Sequence, residues 1–370
     1  MNIALLIPRL HLANGAERQT EQVARELARR GHDVTIFTRR YRNQPFAERK
    51  DDYRIKRRRE LPLPAVRMVW DTLAGLWHIA RHRPKVDVLL CYQTLNSGLI
   101  GAIAQSVLGI PAILSVRGTD EYRLDFSMTN RVLVPRIYRQ VKHVVVQSPR
   151  ILKDLHAQWK KSGKSNLYQT ISSKLSVIPN GVGLTNLKQV NGSKVVYVGR
   201  LIKDKGVADL ILALKQLRDV HAVIVGDGPD RQRLEQIAHG LPIAFAGRVQ
   251  PSAIPSYLNQ ARMMVLPSHH GDGMPNVILE AMTCGVPVVT TRTSAMPDLI
   301  RHEENGLLFE PGDVRQLAQH IGRLNHDHDL WSRLGKRSLE VAKTYSWDNV
   351  TPQIEELLTK TVNNGSPRGC

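Results

Sequence analysis

Short β-branched runs alternate with longer amphipathic ones along nearly the whole chain, and the alternation falls into two series. Residues 3–7, 33–37, 86–90, 112–116 and 143–147 carry the strand pattern. A second series runs through residues 194–198, 222–225, 243–245, 263–266 and 287–290. Between the first two strands, residues 16–30 set Val23, Leu27 and Ala28 on one helical face. Gly31 stands where a helix C′ glycine belongs. Repeated strand, helix and strand demands a parallel sheet covered on both faces. The chain therefore reads as α/β, with two doubly wound, Rossmann-like halves facing across a cleft. Residues 1–182 form the first and residues 183–345 the second, divided at a stretch rich in Gly, Asn and Thr near 181–193. Ligands of open parallel sheets sit beyond the carboxyl ends of the strands, so functional residues are sought there.

A length of 370 residues fits two cores better than one. With 42% apolar and 23% charged residues, disorder is expected only at the termini, including the tail from Thr361 to Cys370. Cys91, Cys284 and Cys370 are few, distant and odd in number. They imply no disulfide framework and fit a reducing compartment, so a cytoplasmic location is expected. The apolar run that ends at Pro8 is too short for a secretory core. Residues 88–116 carry no charge, but Gln93, Asn96, Gln105 and Pro111 interrupt them. A buried strand, helix and strand account for them better than a membrane span.

Charge is distributed unevenly. The net charge is +19, and residues 1–180 hold 31 Lys and Arg against 14 Asp and Glu. Such asymmetry concerns partners rather than fold: anionic lipid, nucleic acid or an acidic glycan. The densest cluster, Arg54-Ile55-Lys56-Arg57-Arg58-Arg59, is followed by the run Met68-Val69-Trp70-Asp71-Thr72-Leu73. A solvated face and a surface for anionic membrane both fit it. Nucleic acid is not expected, because basic-aromatic interleaving is lacking and aromatics are only 5%.

Several turns carry chemistry. After the strand at 194–198 come Gly199-Arg200-Leu201-Ile202-Lys203-Asp204-Lys205-Gly206 and then a helix from about Val207. Arg200 and Lys205 flank a loop that opens a helix, so two cations and a helix N-terminus meet, as a diphosphate requires. Gly226-Asp227-Gly228-Pro229 reads equally as a strand-to-helix turn, with Pro229 at the first helical position, or as a ligand contact. Gly247-Arg248-Val249 follows the next strand and can present backbone groups to a base. Then comes Asp272-Gly273-Met274-Pro275-Asn276-Val277-Ile278-Leu279-Glu280, with Pro275 placed to start a helix. Gly273 lets backbone approach a ligand, and the helix N-terminus favours negative charge. Glu280 sits in an otherwise apolar helix and needs a partner: ribose hydroxyls or a buried structural hydrogen bond.

Together these residues resemble glycosyltransferase family 4, retaining enzymes of GT-B architecture among the group 1 glycosyl transferases. The resemblance includes Asn14-Gly15-Ala16-Glu17, Gly31-His32-Asp33-Val34, Val177-Ile178-Pro179-Asn180-Gly181-Val182 and Val198-Gly199-Arg200-Leu201 with Lys205-Gly206. It continues through Glu280-Ala281-Met282, Gly285-Val286-Pro287-Val288-Val289 and Asn305-Gly306-Leu307-Leu308-Phe309 with Pro311-Gly312-Asp313. It implies a nucleotide-sugar donor, UDP- or GDP-linked, and a glycan or lipid-linked acceptor held by the first domain. Arg200 and Lys205 would bind the donor diphosphate, Glu280 the ribose, and Gly247, Arg248 and Val249 the base. Asp272 would face the sugar, Gly273, Met274, Pro275 and Asn276 would lie along sugar and phosphates, and Gly15 would close over the diphosphate. Residues 346–370 would cross back to the first domain as helices near 347–358. The implied role is synthesis of a bacterial surface glycan: lipopolysaccharide, exopolysaccharide or glycolipid, with the protein cytoplasmic or peripheral on the inner membrane.

Two departures bear on the chemistry. Asp272 replaces the first of the family's paired glutamates, which alters reach. Arg117, in Val116-Arg117-Gly118-Thr119-Asp120, stands where many relatives carry histidine. It would stabilise leaving phosphate or bind an acidic acceptor, with Asp120 orienting the site. Asp327-His328-Asp329 has the spacing of a metal-binding pair but reads as an interhelical loop, and His269-His270 lacks further ligands at zinc spacing. No metal and no cofactor are expected. A nucleotide-sugar epimerase of the same architecture is the alternative enzyme, and a basic nucleic-acid-binding protein the remoter one.

Overall fold

A computed structural model describes residues 1–10, 15–59, 64–81, 86–118, 121–125, 127–184, 191–270 and 273–363. The chain divides into two compact units: Met1–Gly181 joined by the segment from Trp347 onward, and Val182–Ser346.

The first unit contains an eight-stranded sheet. Its strands are β1 (Asn2–Leu6), β2 (Asp33–Arg39), β3 (Ala47–Arg49), β4 (Arg54–Arg58), β5 (Val88–Tyr92), β6 (Ala112–Ser115), β7 (His143–Val146) and β8 (Leu175–Val177). They lie in the order β3-β4-β2-β1-β5-β6-β7-β8, with only β3 antiparallel to its neighbour. Helices α1 (Gly15–Arg29), α2 (Pro64–Ala80), α3 (Leu99–Leu108), α4 (Met128–Gln140), α5 (Pro149–Lys161) and α6 (Ser165–Ile171) connect them. Side-chain alternation splits the strands between two layers. Leu5, Ile36 and Leu90 pack with Val23 and Leu27 of α1. On the opposite face Cys91 meets α3, where a Cβ on Gly101 would strike its sulfur. Gly31, with φ +87°, ends α1 as its position predicts.

The second unit contains a wholly parallel six-stranded sheet: β9 (Lys194–Val198), β10 (Ala222–Val225), β11 (Ile243–Gly247), β12 (Ala261–Leu266), β13 (Val288–Thr291) and β14 (Gly306–Phe309). The order is β11-β10-β9-β12-β13-β14. Helices α7 (Val207–Leu214), α8 (Arg231–Ile237), α9 (Ile254–Leu258), α10 (Asn276–Thr283), α11 (Met296–Leu299), α12 (Val314–His326) and α13 (His328–Thr344) complete it. Asp327 accepts a hydrogen bond from the Leu330 amide at 2.8 Å, so it caps α13.

From there α14 (Trp347–Asn363) joins the first unit, where Trp347, Val350, Leu357 and Leu358 enter the core with Leu5 and Ile36. Of the tail expected to fray, Thr361 to Asn363 continue α14, and residues 364–370 lie outside the described residues. Thr361 is fully buried, its hydroxyl donating to the Leu357 carbonyl at 2.6 Å.

The basic run 54–59 is not one solvated face. Arg54–Arg58 is β4, paired with β2. Ile55 is core, Arg57 is buried against Glu48 at 2.6 Å, and Arg58 points to Asp71. Carboxylates distant in sequence neutralise these arginines, which a local reading cannot see.

Candidate functional site

The sheet of the second unit reverses its winding at β9. The chain moves from β9 through β10 to β11, then crosses back to the other side of β9 as β12. Loops leaving the two central strands at such a switch point diverge and open a crevice beyond the strand ends. Here they are residues 199–206 and 267–275, and they carry most of the residues singled out for the donor.

The β9 loop is anchored by buried Leu201 and ends in a tight turn, Lys203–Lys205. Gly206 follows with φ +64°, and α7 starts at Val207. A Cβ on Gly206 would collide with the Pro267 carbonyl oxygen, so the two loops meet backbone to backbone. The His269 amide donates to the Asp204 carbonyl at 2.8 Å, and His269 Nε2 lies 2.5 Å from Asp209 Oδ2 in the first turn of α7. Arg200 is exposed and Lys205 half-buried on this braced loop.

Gly226 and Gly228 back onto the carbonyl oxygens of Gly199 and Leu201, with no room for a Cβ at either. The Leu201 amide donates to the Asp227 carbonyl and the Asp230 amide to the Leu201 carbonyl, each at 3.0 Å. The glycines thus serve packing: they let the β10 loop support the β9 loop. Pro229 is not the first helical residue, since α8 begins at Arg231. At the end of β11, Gly247 has φ +69° and its carbonyl accepts from the Gly226 amide at 2.8 Å. Arg248 beside it is exposed and Val249 half-buried.

Threonines of β13 fasten the segment after β12. Thr290 and Thr291 hydroxyls donate to the carbonyls of Leu266 and Ser268 at 2.7 and 2.6 Å. Asp272 lies outside the described residues. Gly273 is half-buried, Met274 is buried, and Pro275 holds the extended cap position before α10 starts at Asn276. Ile278, Leu279, Ala281 and Met282 are buried, which leaves half-buried Glu280 as the only charge of α10. These two loops thus carry two cations, Arg200 and Lys205, and lead into the starts of α7 and α10.

Gly15 and Arg117 belong to the first unit. Gly15 is exposed at the start of α1, and Asp120 lies outside the described residues. Arg117 follows β6 and joins a polar cluster at the ends of four adjacent strands: Tyr92 closes β5, and Arg117, Gln147 and Asn180 follow β6, β7 and β8. Its guanidinium lies 4.8 Å from the Tyr92 ring centroid and donates to Asn180 Oδ1, which also accepts from Gln147 Nε2 at 2.7 Å. Glu121 accepts from the amides of Arg117 at 2.8 Å and Thr94 at 3.0 Å. Burial pushes the Tyr92 phenol up, opposed by the Arg117 cation. Gln93 has φ +74° and opens a π-turn, Gln93–Gly98, at the end of β5. Local backbone irregularity of this kind gathers at functional strand ends. Of this cluster sequence reasoning singled out only Arg117. Asn180 stood within a quoted motif, whereas Gln147 carried no signal beyond ending its strand.

The family model described as "Glycosyl transferase 4-like domain" matches residues 14–162, and that described as "Glycosyl transferases group 1" matches residues 192–327. A putative teichuronic acid biosynthesis glycosyltransferase of Bacillus subtilis is 25% identical over 84% of this chain and 85% of its own. Sucrose-phosphate synthase from Thermosynechococcus elongatus superposes with a TM-score of 0.85 at 22% identity, covering 98% of this chain and 99% of that one. Anabaena HepE, solved in complex with UDP-glucose, superposes with a TM-score of 0.77 at 22% identity over 97% and 100%. These structures show the GT-B fold. With both domain models matched in order along most of its length, the chain belongs to the group 1 glycosyltransferases.

Proposed function

We propose that the protein transfers a sugar from a nucleotide-sugar to a hydroxyl acceptor with retention of configuration. The observation that carries this reading is the braced pair of loops at the switch point of the second unit, bearing Arg200, Lys205 and the start of α10. The superposed HepE, with UDP-glucose in its complex, supports a nucleotide-sugar here. Arg200 and Lys205 would take the diphosphate, Glu280 the ribose hydroxyls, and the turn 247–249 the base. Asp272 and residues 273–276 would hold the sugar. The acceptor oxygen bonds to the anomeric carbon as the bond to the diphosphate breaks. A leaving phosphate oxygen takes the acceptor proton, and nucleoside diphosphate departs. Fixed cations supply the charge that a metal supplies in other transferases.

Arg117, anchored at the strand ends of the first unit, fits a leaving phosphate or an acidic acceptor. The basic first domain favours lipid-linked or anionic glycan acceptors at the cytoplasmic face of a bacterial membrane, in surface-glycan synthesis. The Bacillus subtilis relative is named for teichuronic acid biosynthesis.

The test is turnover of UDP-, GDP- and ADP-sugars with candidate acceptors, the product anomer read by NMR. Losing one charge-assisted hydrogen bond costs about 1.5–3 kcal/mol, so Arg200→Ala or Lys205→Ala should lower kcat/KM by roughly 10- to 100-fold. Turnover within about twofold of wild type would end this assignment. Release of a free sugar epimer without acceptor would favour epimerisation instead.

A further inference from the structure

Helix α2 exposes an apolar face. Between residues 68 and 80 its only Lys, Arg, Asp or Glu is Asp71, and that residue points inward, 2% exposed, to Arg39 at 2.5 Å and Arg58 at 3.6 Å. Gly75 and Ile79 also face the protein. A Cβ on Gly75 would press on Arg58 and Ile100, so the helix lies close against β4 and α3. The outward positions are therefore Val69, Trp70, Leu73 and Trp77, exposed by 57%, 40%, 59% and 60%, with Met68 beside them. Their spacing is one helical stripe. An outward helical face this apolar belongs in a core or against lipid. This helix has protein on one face only.

One cation touches the stripe, and two more stand at the strand ends against which the helix packs. Arg81 stacks 5.3 Å from the Trp77 ring centroid at the end of the helix. Arg40 and Arg59 both stack on Phe46, itself 46% exposed. They follow in sequence the two arginines that hold Asp71, and the Arg40 amide donates to the Arg58 carbonyl at 2.7 Å. Tryptophan favours the headgroup level of a bilayer, and arginine its anionic phosphates. Among the described residues no helix is long and apolar enough to cross a membrane.

We propose that the outward face of α2, with Trp70, Leu73 and Trp77 beside Arg81, and with Arg40 and Arg59 at the strand ends against which the helix packs, docks the protein in the plane of an anionic lipid surface. The helix lies in the interface, its stripe among the upper acyl chains and its arginines at the phosphates. This deepens the membrane-side reading of the acceptor and is independent of donor chemistry.

The full chain is mixed with vesicles of phosphatidylcholine alone or with phosphatidylglycerol, without donor or acceptor. The other three tryptophans, Trp159, Trp331 and Trp347, are buried, so brominated acyl chains should quench mainly Trp70 and Trp77. Binding is expected to the phosphatidylglycerol vesicles, weakened by salt. The double variant Trp70→Ser, Trp77→Ser should bind about tenfold more weakly, while Trp70→Phe, Trp77→Phe retains most of the binding. Far-UV circular dichroism and thermal melting keep loss of fold distinct from loss of docking. Unchanged binding by the serine variant, or no binding by the wild type, overturns the proposal. So does a dimer of the wild type that the serine variant dissolves without any vesicle binding, since the face then serves a second copy. Donor turnover in solution reads the transferase assignment separately and is expected unchanged in the serine variant.

Discussion

Gly206 turns at φ +64°, opens α7 and passes so close to Pro267 that no side chain fits. Gly206→Ala must adopt a conformation disfavoured for L-residues and push apart the two loops of the crevice. A loss of more than about 1 kcal/mol is expected, with a raised KM for donor. Urea denaturation and initial rates check both, and unchanged values would remove the loop contact from the account. His320 sets a pH dependence of stability. It is buried in α12, its Nε2 3.3 Å from the Leu308 carbonyl and its ring 5.5 Å from that of His302. His302 Nδ1 accepts from the Leu308 amide at 3.0 Å, so its ring stays neutral. Burial holds both histidines below the ordinary value of 6.5; Arg323 adds to this and Glu303 opposes it. As pH falls through 6.5 the unfolded chain gains protons that the folded chain refuses, so stability is full above that pH and declines below it. Thermal melting from pH 8 to 5 should show this decline, and His320→Leu should flatten part of it. An equal decline in the variant assigns the effect elsewhere.

At the scale of elements, α2 is fixed to the sheet by a buried charge. Asp71 lies between Arg39 and Arg58, and Asp71→Asn leaves two guanidinium groups without their counter-ion. Breaking such a buried group typically costs about 3–5 kcal/mol, so a large fall in the urea midpoint of the first unit is expected. A change under about 1 kcal/mol would mean that water reaches the site. The same triad shows where sequence reading stopped. Parallel strands such as β1, β5 and β12 are legible because burial on both faces leaves nearly unbroken apolar runs. By contrast β4 is hidden: four of its five residues are cations, and Asp33, Glu48 and Asp71, all outside the strand, are their partners in the sheet. The crevice was legible in the same unequal way. Arg200, Lys205 and Glu280 announce themselves by charge in turns and in an apolar helix. Gly226 and Gly228 left two readings open, because the backbone they touch belongs to another loop. Gln147 gave no sign, since its partner Asn180 lies past the end of a different strand, β8.

The whole molecule is two cores, and chain order does not match core membership. Val182–Ser346 forms one unit, while α14 after it completes the other through Trp347, Val350, Leu357 and Leu358. Gly181, the last residue of the first unit before the chain leaves, lies flat against the Trp347 ring with no space for a Cβ. The two unfolding transitions should therefore answer to different perturbations. Leu358 is fully buried in the first unit, and Leu358→Ala should remove about 2–5 kcal/mol from that transition alone. Nucleotide binding to the proposed crevice should act on the other. At a hundredfold excess over its Kd, a nucleoside diphosphate adds about 2.7 kcal/mol to the state that binds it. Differential scanning calorimetry of wild type and Leu358→Ala, each with and without UDP or GDP, resolves the four cases. If Leu358→Ala lowers both transitions equally, the units unfold as one cooperative body and α14 is not a private element of the first core. If nucleotide raises the transition that Leu358→Ala lowers, the donor crevice has been assigned to the wrong unit, because α14 and the loops at β9 and β12 share no core.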